Sequence, residues 1–124
     1  MSIGNTICWT DIPVTDLKRA IKFYSGVLAK EVRHFNEHGM EFGLLPHEEN
    51  NVSGCLCQAE GVKPSEHGTM VYLNVDGRLD GAVDAVLKGG GKVLQEKHSI
   101  GPYGFRAIIR DSEGNRVALH SHTA

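Results

Sequence analysis

Seven histidines and three cysteines are the side chains here best suited to hold a metal or move a proton, and their spacing limits what they can do. Cys8, Cys55 and Cys57 are an odd set with no CxxC pair. Cys55 and Cys57 stand two apart, which on a strand places both on one face in positions poorly suited to a disulfide. The simplest reading of the three is as small buried hydrophobes in a reducing cytoplasm. His34, His38, His47, His67 and His98 fall in expected loops or near strand ends beside Glu, Asn, Gly or Ser, where histidines are usually solvated. His120 and His122 flank Ser121, so a strand would point both rings the same way. His122 is set aside as a site residue because fraying is expected two residues from the end of the sequence.

Elements able to position such groups recur in order. Ile7 to Val14 reads as a strand. Leu17, Ala20, Ile21, Tyr24, Val27 and Leu28 then repeat at helical spacing, with Thr15 or Asp16 available to cap the start. Strands are expected at Glu31 to Phe35, Met40 to Leu45 and Gly54 to Ala59. The polar run Pro46 to Val52 reads as a loop between the last two. A second series follows. Thr69 to Val75 is strand-like, Leu79, Ala82, Val83, Val86 and Leu87 form a second helical stripe, and Gly89-Gly90-Gly91 ends it. Lys92 to Glu96, Phe105 to Arg110 and Arg116 to Ser121 read as strands, the last two joined by the turn Asp111-Ser112-Glu113-Gly114-Asn115.

A shift of 61 residues places Ile12 on Leu73, Val14 on Val75 and Val32 on Val93. The order is therefore a duplicated βαβββ module, with half-repeats at about 5–61 and 66–122 within a single domain spanning 1–124. The fold class expected is α+β: two mixed, antiparallel-rich sheets facing each other around a cupped pocket, with the helices outside.

The bulk composition fits this reading. The 124 residues are 40% hydrophobic and 23% charged, with a formal charge of −2 and a pI near 6.4. No basic stripe suits nucleic acid, and no run of 18 apolar residues suits a membrane span. Met1 to Asn5 lacks the basic and apolar regions of a signal peptide, so a cytoplasmic location is expected.

Trp9-Thr10-Asp11-Ile12-Pro13-Val14-Thr15-Asp16-Leu17 followed by Phe23-Tyr24 resembles the opening signature of the vicinal oxygen chelate superfamily. That group includes glyoxalase I, extradiol dioxygenases, fosfomycin resistance enzymes and bleomycin-binding proteins. Val71-Tyr72-Leu73-Asn74-Val75-Asp76, Gly89-Gly90-Gly91-Lys92-Val93 and Asp111-Ser112-Glu113-Gly114-Asn115 are similar to the landmarks of the second half. The resemblance implies the duplicated fold and a frequent homodimer of C2 symmetry. The activity is left open, because one fold hosts many.

It also implies four metal-ligand positions, which fall here on Trp9, Met70, Ala118 and either Cys57 or Gln58. Indole has no lone pair to give, alanine has no donor, and a thioether suits only a soft ion. The usual divalent metal is therefore not expected, and no cofactor is implied. Asp11 and His120 each lie two residues beyond an expected ligand position, so each shares its inward face. They could form one buried polar contact, act as general acid and base, or begin a relocated metal site. Glu60 is a further donor in poorer register. Trp9 reads as core packing or as a flat platform for a ligand, with Met70 as an adaptable wall and Tyr72 contributing a hydroxyl. Cys57 and Ala118 would line the same space. Tyr103, in Gly101-Pro102-Tyr103-Gly104, would contact a ligand at the mouth.

The favoured function is a metal-free protein that binds or transforms a small organic or aromatic compound, by analogy with sequestration of an antibiotic. The alternative is a metal-dependent lyase, isomerase or dioxygenase of the glyoxalase I kind, with its ligands relocated to Asp11, His120 and neighbours. A third reading has Trp9 and Met70 collapse the pocket, leaving an interaction surface.

Overall fold

Period-two and period-3.6 patterns alternate along the chain, and the computed structural model realises them in that order for residues 5–124, the ones it describes. The stretch read for a signal peptide lies, apart from Asn5, outside the described residues. The elements are β1 (Trp9–Pro13), α1 (Leu17–Leu28), β2 (Arg33–Glu37), β3 (Met40–Leu44), β4 (Ser53–Cys57), β5 (Val71–Asn74), α2 (Leu79–Lys88), β6 (Lys92–Ser99), β7 (Phe105–Arg110) and β8 (Arg116–Ser121). They form two four-stranded sheets, ordered β1-β4-β3-β2 and β5-β8-β7-β6. In each, the first strand runs parallel to the last and the other neighbours are antiparallel. This is the expected α+β fold of two βαβββ modules.

Several strand ends differ from expectation: β1 and β5 start two residues later, at Trp9 and Val71, β4 ends at Cys57 instead of Ala59, and β2 and β6 differ for identifiable reasons. β2 runs from Arg33 to Glu37, two residues further along than the sequence suggested, because His38 and Gly39 take positive φ (53° and 76°) and form a two-residue turn that lets Glu37 still pair with Met40 of β3. β6 runs on to Ser99, since shifts in register around Gln95 let it keep pairing with β7. His98 therefore belongs to a strand instead of a loop.

Asp16 starts α1 by accepting the Arg19 N–H at 3.1 Å, and Ala29 ends it in the left-handed region at φ 54°. Leu17, Ala20, Phe23, Tyr24 and Val27 form its buried stripe. α2 buries Leu79, Ala82 and Val86. Both stripes join Ile12, Val14 and Leu56 of the first module with Leu73, Val75, Ala107, Ile109, Val117 and Leu119 of the second in one core. Each fully buried Leu, Ile or Val side chain there contributes on the order of 1.5–3 kcal/mol. The core lies on the helix-covered side of both sheets, so the opposite faces are left open.

Polar contacts lock the modules together. Arg78 Nη1 donates to the Val27 carbonyl at the end of α1 (2.8 Å), and Asn115 Nδ2 donates to the Pro13 carbonyl (2.7 Å). Glu113 Oε1, in the β7–β8 turn, accepts the backbone N–H groups of Thr15 (3.0 Å) and Asp16 (2.8 Å). Its Oε2 accepts Arg19 Nε at 2.7 Å. Burial alone would raise the Glu113 pKa. The Arg19 guanidinium, then the Asp16 N–H, the Ser112 hydroxyl and the Thr15 N–H outweigh it and hold the carboxyl at about 2.

Candidate functional site on the open sheet faces

Strand alternation decides which side chains reach the open faces. On β5, Leu73 turns to the core while Tyr72 and Asn74 turn away. On β7, Ala107 and Ile109 turn to the core and Arg106 away. On β8, Leu119 is buried and His120 is half-buried. Register places His120 between Asn74 on β5 and Arg106 on β7. The result is a hollow of about 640 Å³ lined by Tyr72, Asn74, Asp76, Ile100, Tyr103, Arg106, His120 and His122, a size usual for small-molecule sites.

Each polar group in it is oriented by a neighbour. His120 Nε2 donates to the Tyr103 carbonyl at 2.7 Å, which fixes its proton on that nitrogen. Arg106 Nη1 donates to the Tyr72 hydroxyl and Nε to His98 Nε2 at 3.0 Å, while His98 Nδ1 donates to the Glu96 carbonyl at 2.9 Å. The guanidinium also stands 6.0 Å from the Tyr72 ring centre. Asp76 Oδ1 accepts the His122 backbone N–H at 2.6 Å and lies 3.2 Å from its Nδ1. That backbone bond, working against a smaller effect of burial and aided by the His122 ring, holds the Asp76 carboxyl below its ordinary range. The rings of His120 and His122 meet edge to face with centroids 5.0 Å apart. His122, set aside in the sequence, is thus tied down by Asp76 and lines the hollow.

A second hollow of about 890 Å³ lies between the modules, with Trp9, Leu28, Leu45 and His47 on one side and Met70, Val71 and Tyr72 on the other. Tyr72, Leu73 and Asn74 line both hollows, so β5 is their common wall. Trp9, Tyr72 and Tyr103 are 38%, 47% and 71% exposed, which gives three aromatic surfaces without a covering core.

Asp11 and His120 are not brought together. Asp11 Oδ1 accepts from Trp9 Nε1 (3.1 Å) and Cys55 Sγ (3.3 Å) on the open face of the first module, and lines neither hollow. Asp11 Oδ, Cys55 Sγ and Cys57 Sγ lie within 4.8 Å of one another. Burial, then the Asp11 hydrogen bond, pushes the Cys55 thiol up to about 12, and burial with the Asp11 charge raises Cys57 as well. Cys55 is buried, as the sequence suggested, but Cys57 is half-buried and Cys8 exposed. Ala118 is 0% exposed and so offers no surface to a ligand in this chain. Glu60 sits exposed in the turn between Ala59 and Val62.

The four positions where the resemblance implied metal ligands do not fit a divalent ion. Trp9 turns an N–H donor to Asp11, and Ala118 is buried without a donor. Cys57 and Gln58 turn to opposite sides of β4's end. Gln58 Oε1 accepts the Leu17 N–H at the start of α1 (3.2 Å), which leaves Cys57 on the open face. Arg106, Ile100 and Asp76 were not singled out in the sequence, and His98 was read there as a solvated loop residue. The alternation of Arg106 with buried Ala107 and Ile109 was the available signal for the first of them.

Paired βαβββ modules with hollows on their open faces define a class of small-molecule-binding protein. A family profile described as "Glyoxalase/Bleomycin resistance protein/Dioxygenase superfamily" matches residues 6–119, and the chain belongs to that superfamily. It is 31% identical over 134 residues to a "Glyoxylase-like domain-containing protein" of Didymella fabae, with 96% of this chain and 95% of the relative covered. Among solved structures it is similar to a glyoxalase/bleomycin resistance protein from Albidiferax ferrireducens (17% identity, TM-score 0.68, 94% of this chain and 99% of the other). It is also similar to a glyoxalase I variant from Zea mays (22% identity, TM-score 0.70, 93% of this chain and 45% of the other). Those two likenesses speak to the fold alone.

Proposed function

We propose that this chain is a binding protein for a planar organic molecule with an apolar body and one anionic group, and that it works without the divalent metal usual to its superfamily. The observation that carries this reading is the Tyr72–Arg106–His120 arrangement. Tyr72 offers an exposed ring that a flat ligand can stack on. Arg106, whose bonds here go to neutral His98 and Tyr72, offers a guanidinium to a carboxylate. His120 and Tyr103 close the side, and the second hollow with Trp9 and Met70 extends the apolar wall. Sequestration is the role this chemistry supports best. The metal-dependent lyase alternative is disfavoured, because Asp11 and His120 have separate partners on separate modules.

We also propose a C2 homodimer. The exposed Ile7 and Met40 are apolar surface that a second copy would cover. Titration calorimetry with 1-naphthoate tests the ligand reading. Tyr72→Ala is expected to bind about 10-fold more weakly, the ~1–1.5 kcal/mol of an aromatic contact. Equal affinity for both proteins would remove Tyr72 from the site and the reading with it.

A further inference from the structure

We propose that Asp11, Cys55 and Cys57 form a binding site for one thiophilic d10 cation of the Zn2+ and Cd2+ type, on the open face of the first module and separate from the hollow beside His120. The site stands on geometry. β1 and β4 are parallel neighbours whose register sets Asp11 directly opposite Cys55 and Pro13 opposite Cys57. Leu56 between the two cysteines is fully buried toward the helices, so Cys55 and Cys57 both turn to the other face with Asp11. Close approach of the strands is permitted by Gly54, where a Cβ would stand 2.4 Å from the Thr10 carbonyl oxygen and 2.4 Å from its methyl carbon. Among the described residues this is the one group in which three potential ligand atoms come within 4.8 Å of one another.

The donor set selects the ion. Two sulfurs and one carboxylate oxygen match soft or borderline d10 cations, and make a poor site for Mg2+ or Ca2+, which require several oxygens. The two sulfurs cannot readily escape into a disulfide. Neighbours on one strand face lie ~6.6 Å apart at Cα, near the outer limit for that bond. A disulfide between them would be close to its geometric limit, which favours the reduced pair. Sulfur–metal bonds of ~2.3 Å need two sulfurs about 4 Å apart, so small rotamer changes close the site. On binding, two S–M bonds form and the two thiol protons leave to solvent; no oxidant is involved. Trp9 supplies the supporting contact, because its N–H holds the Asp11 carboxylate at 3.1 Å. This site differs from the ligand positions implied by the superfamily resemblance, with which it shares only Cys57. It also stands independently of the organic-ligand reading.

The test uses the full chain carrying Cys8→Ser, which removes the one exposed thiol. Titration with Cd2+ is expected to give a saturating ultraviolet sulfur-to-metal charge-transfer band at one ion per chain. Emission from Trp9, the chain's sole tryptophan, should change in parallel as its Asp11 partner turns to the ion. Zn2+ should displace the Cd2+, and millimolar Mg2+ should not. Adding Cys57→Ser, at a half-buried position where folding is checked by circular dichroism, should cost at least about 10-fold in affinity and reduce the band. Asp11→Asn should weaken binding while keeping the band. Absence of a saturable band, a band unchanged by Cys57→Ser, or competition by Mg2+ would overturn the proposal.

Discussion

Replacing Glu113 by Gln should loosen the junction between the two modules by an amount that depends on pH. The carboxylate accepts from Thr15 N and Oγ1, Asp16 N, Arg19 Nε and Nη2, and Ser112 Oγ, all at 2.7–3.0 Å. Glutamine keeps one acceptor oxygen and turns an NH2 toward groups that are themselves donors. The folded-state pKa stands at about 2 against an ordinary 4.5. At ~1.4 kcal/mol per unit this corresponds to about 3 kcal/mol favouring the folded protein. Arg19, the principal partner, is half exposed, which brings the working figure to about 2 kcal/mol. The folded state holds the proton less tightly than the unfolded chain. The contribution is therefore complete above about pH 4.5 and lost as pH falls through about 2. Urea unfolding of both proteins at pH 7, 4 and 2.5 measures this, because groups common to the two cancel in the difference. The expected difference is about 2 kcal/mol at pH 7, shrinking steadily at lower pH. A gap below about 0.5 kcal/mol at pH 7, or one that does not change with pH, would refute an electrostatic clamp.

Other perturbations follow from named contacts. Asp111 is 2% exposed and accepts from the Tyr24 hydroxyl (2.5 Å), three backbone N–H groups (each 2.8 Å) and Asn115 Nδ2 (3.0 Å). Asp111→Asn should cost about 3 kcal/mol in urea unfolding, and a loss under 1 kcal/mol would contradict that count. Arg106→Gln should leave the fold intact but remove the preference for 1-naphthoate over uncharged 1-naphthamide, read by calorimetry; a retained preference would place the anion elsewhere. Sedimentation at tens of micromolar should show a dimer, and a monomer there would remove the proposed pairing.

The fold was largely legible because each module repeats two clear periods. Leu17, Ala20, Tyr24 and Val27 announce α1, and the β-branched and aromatic residues Thr69, Val71, Tyr72 and Val75 announce β5. What failed to read through was distance between modules. Asp11 and His120 share a kind of position in their respective halves, yet the helices meet in the common core and leave the two residues on separate open faces. His98 read as a solvated loop residue, and its hydrogen bond with Arg106 depends on the irregular register of β6 against β7, which no local pattern encodes. Glu113 likewise looked like a turn residue. Its partners Thr15, Asp16 and Arg19 lie more than 90 residues away in sequence. Cys57 and Gln58 differ by one position, and the burial of Leu56 together with the hydrogen bond from Leu17 to Gln58 puts Cys57 on the open side.

The central claim is that the hollow between Tyr72, Arg106 and His120 receives a planar anionic compound. It is tested most directly by following backbone amide resonances of 15N-labelled protein during titration with 1-naphthoate. Saturable shifts confined to Tyr72–Asn74, the segment from Ile100 to Arg106, and His120–His122 are the predicted result. Shifts scattered over the surface, absent at millimolar ligand, or centred on the β2–β3 hairpin would contradict it.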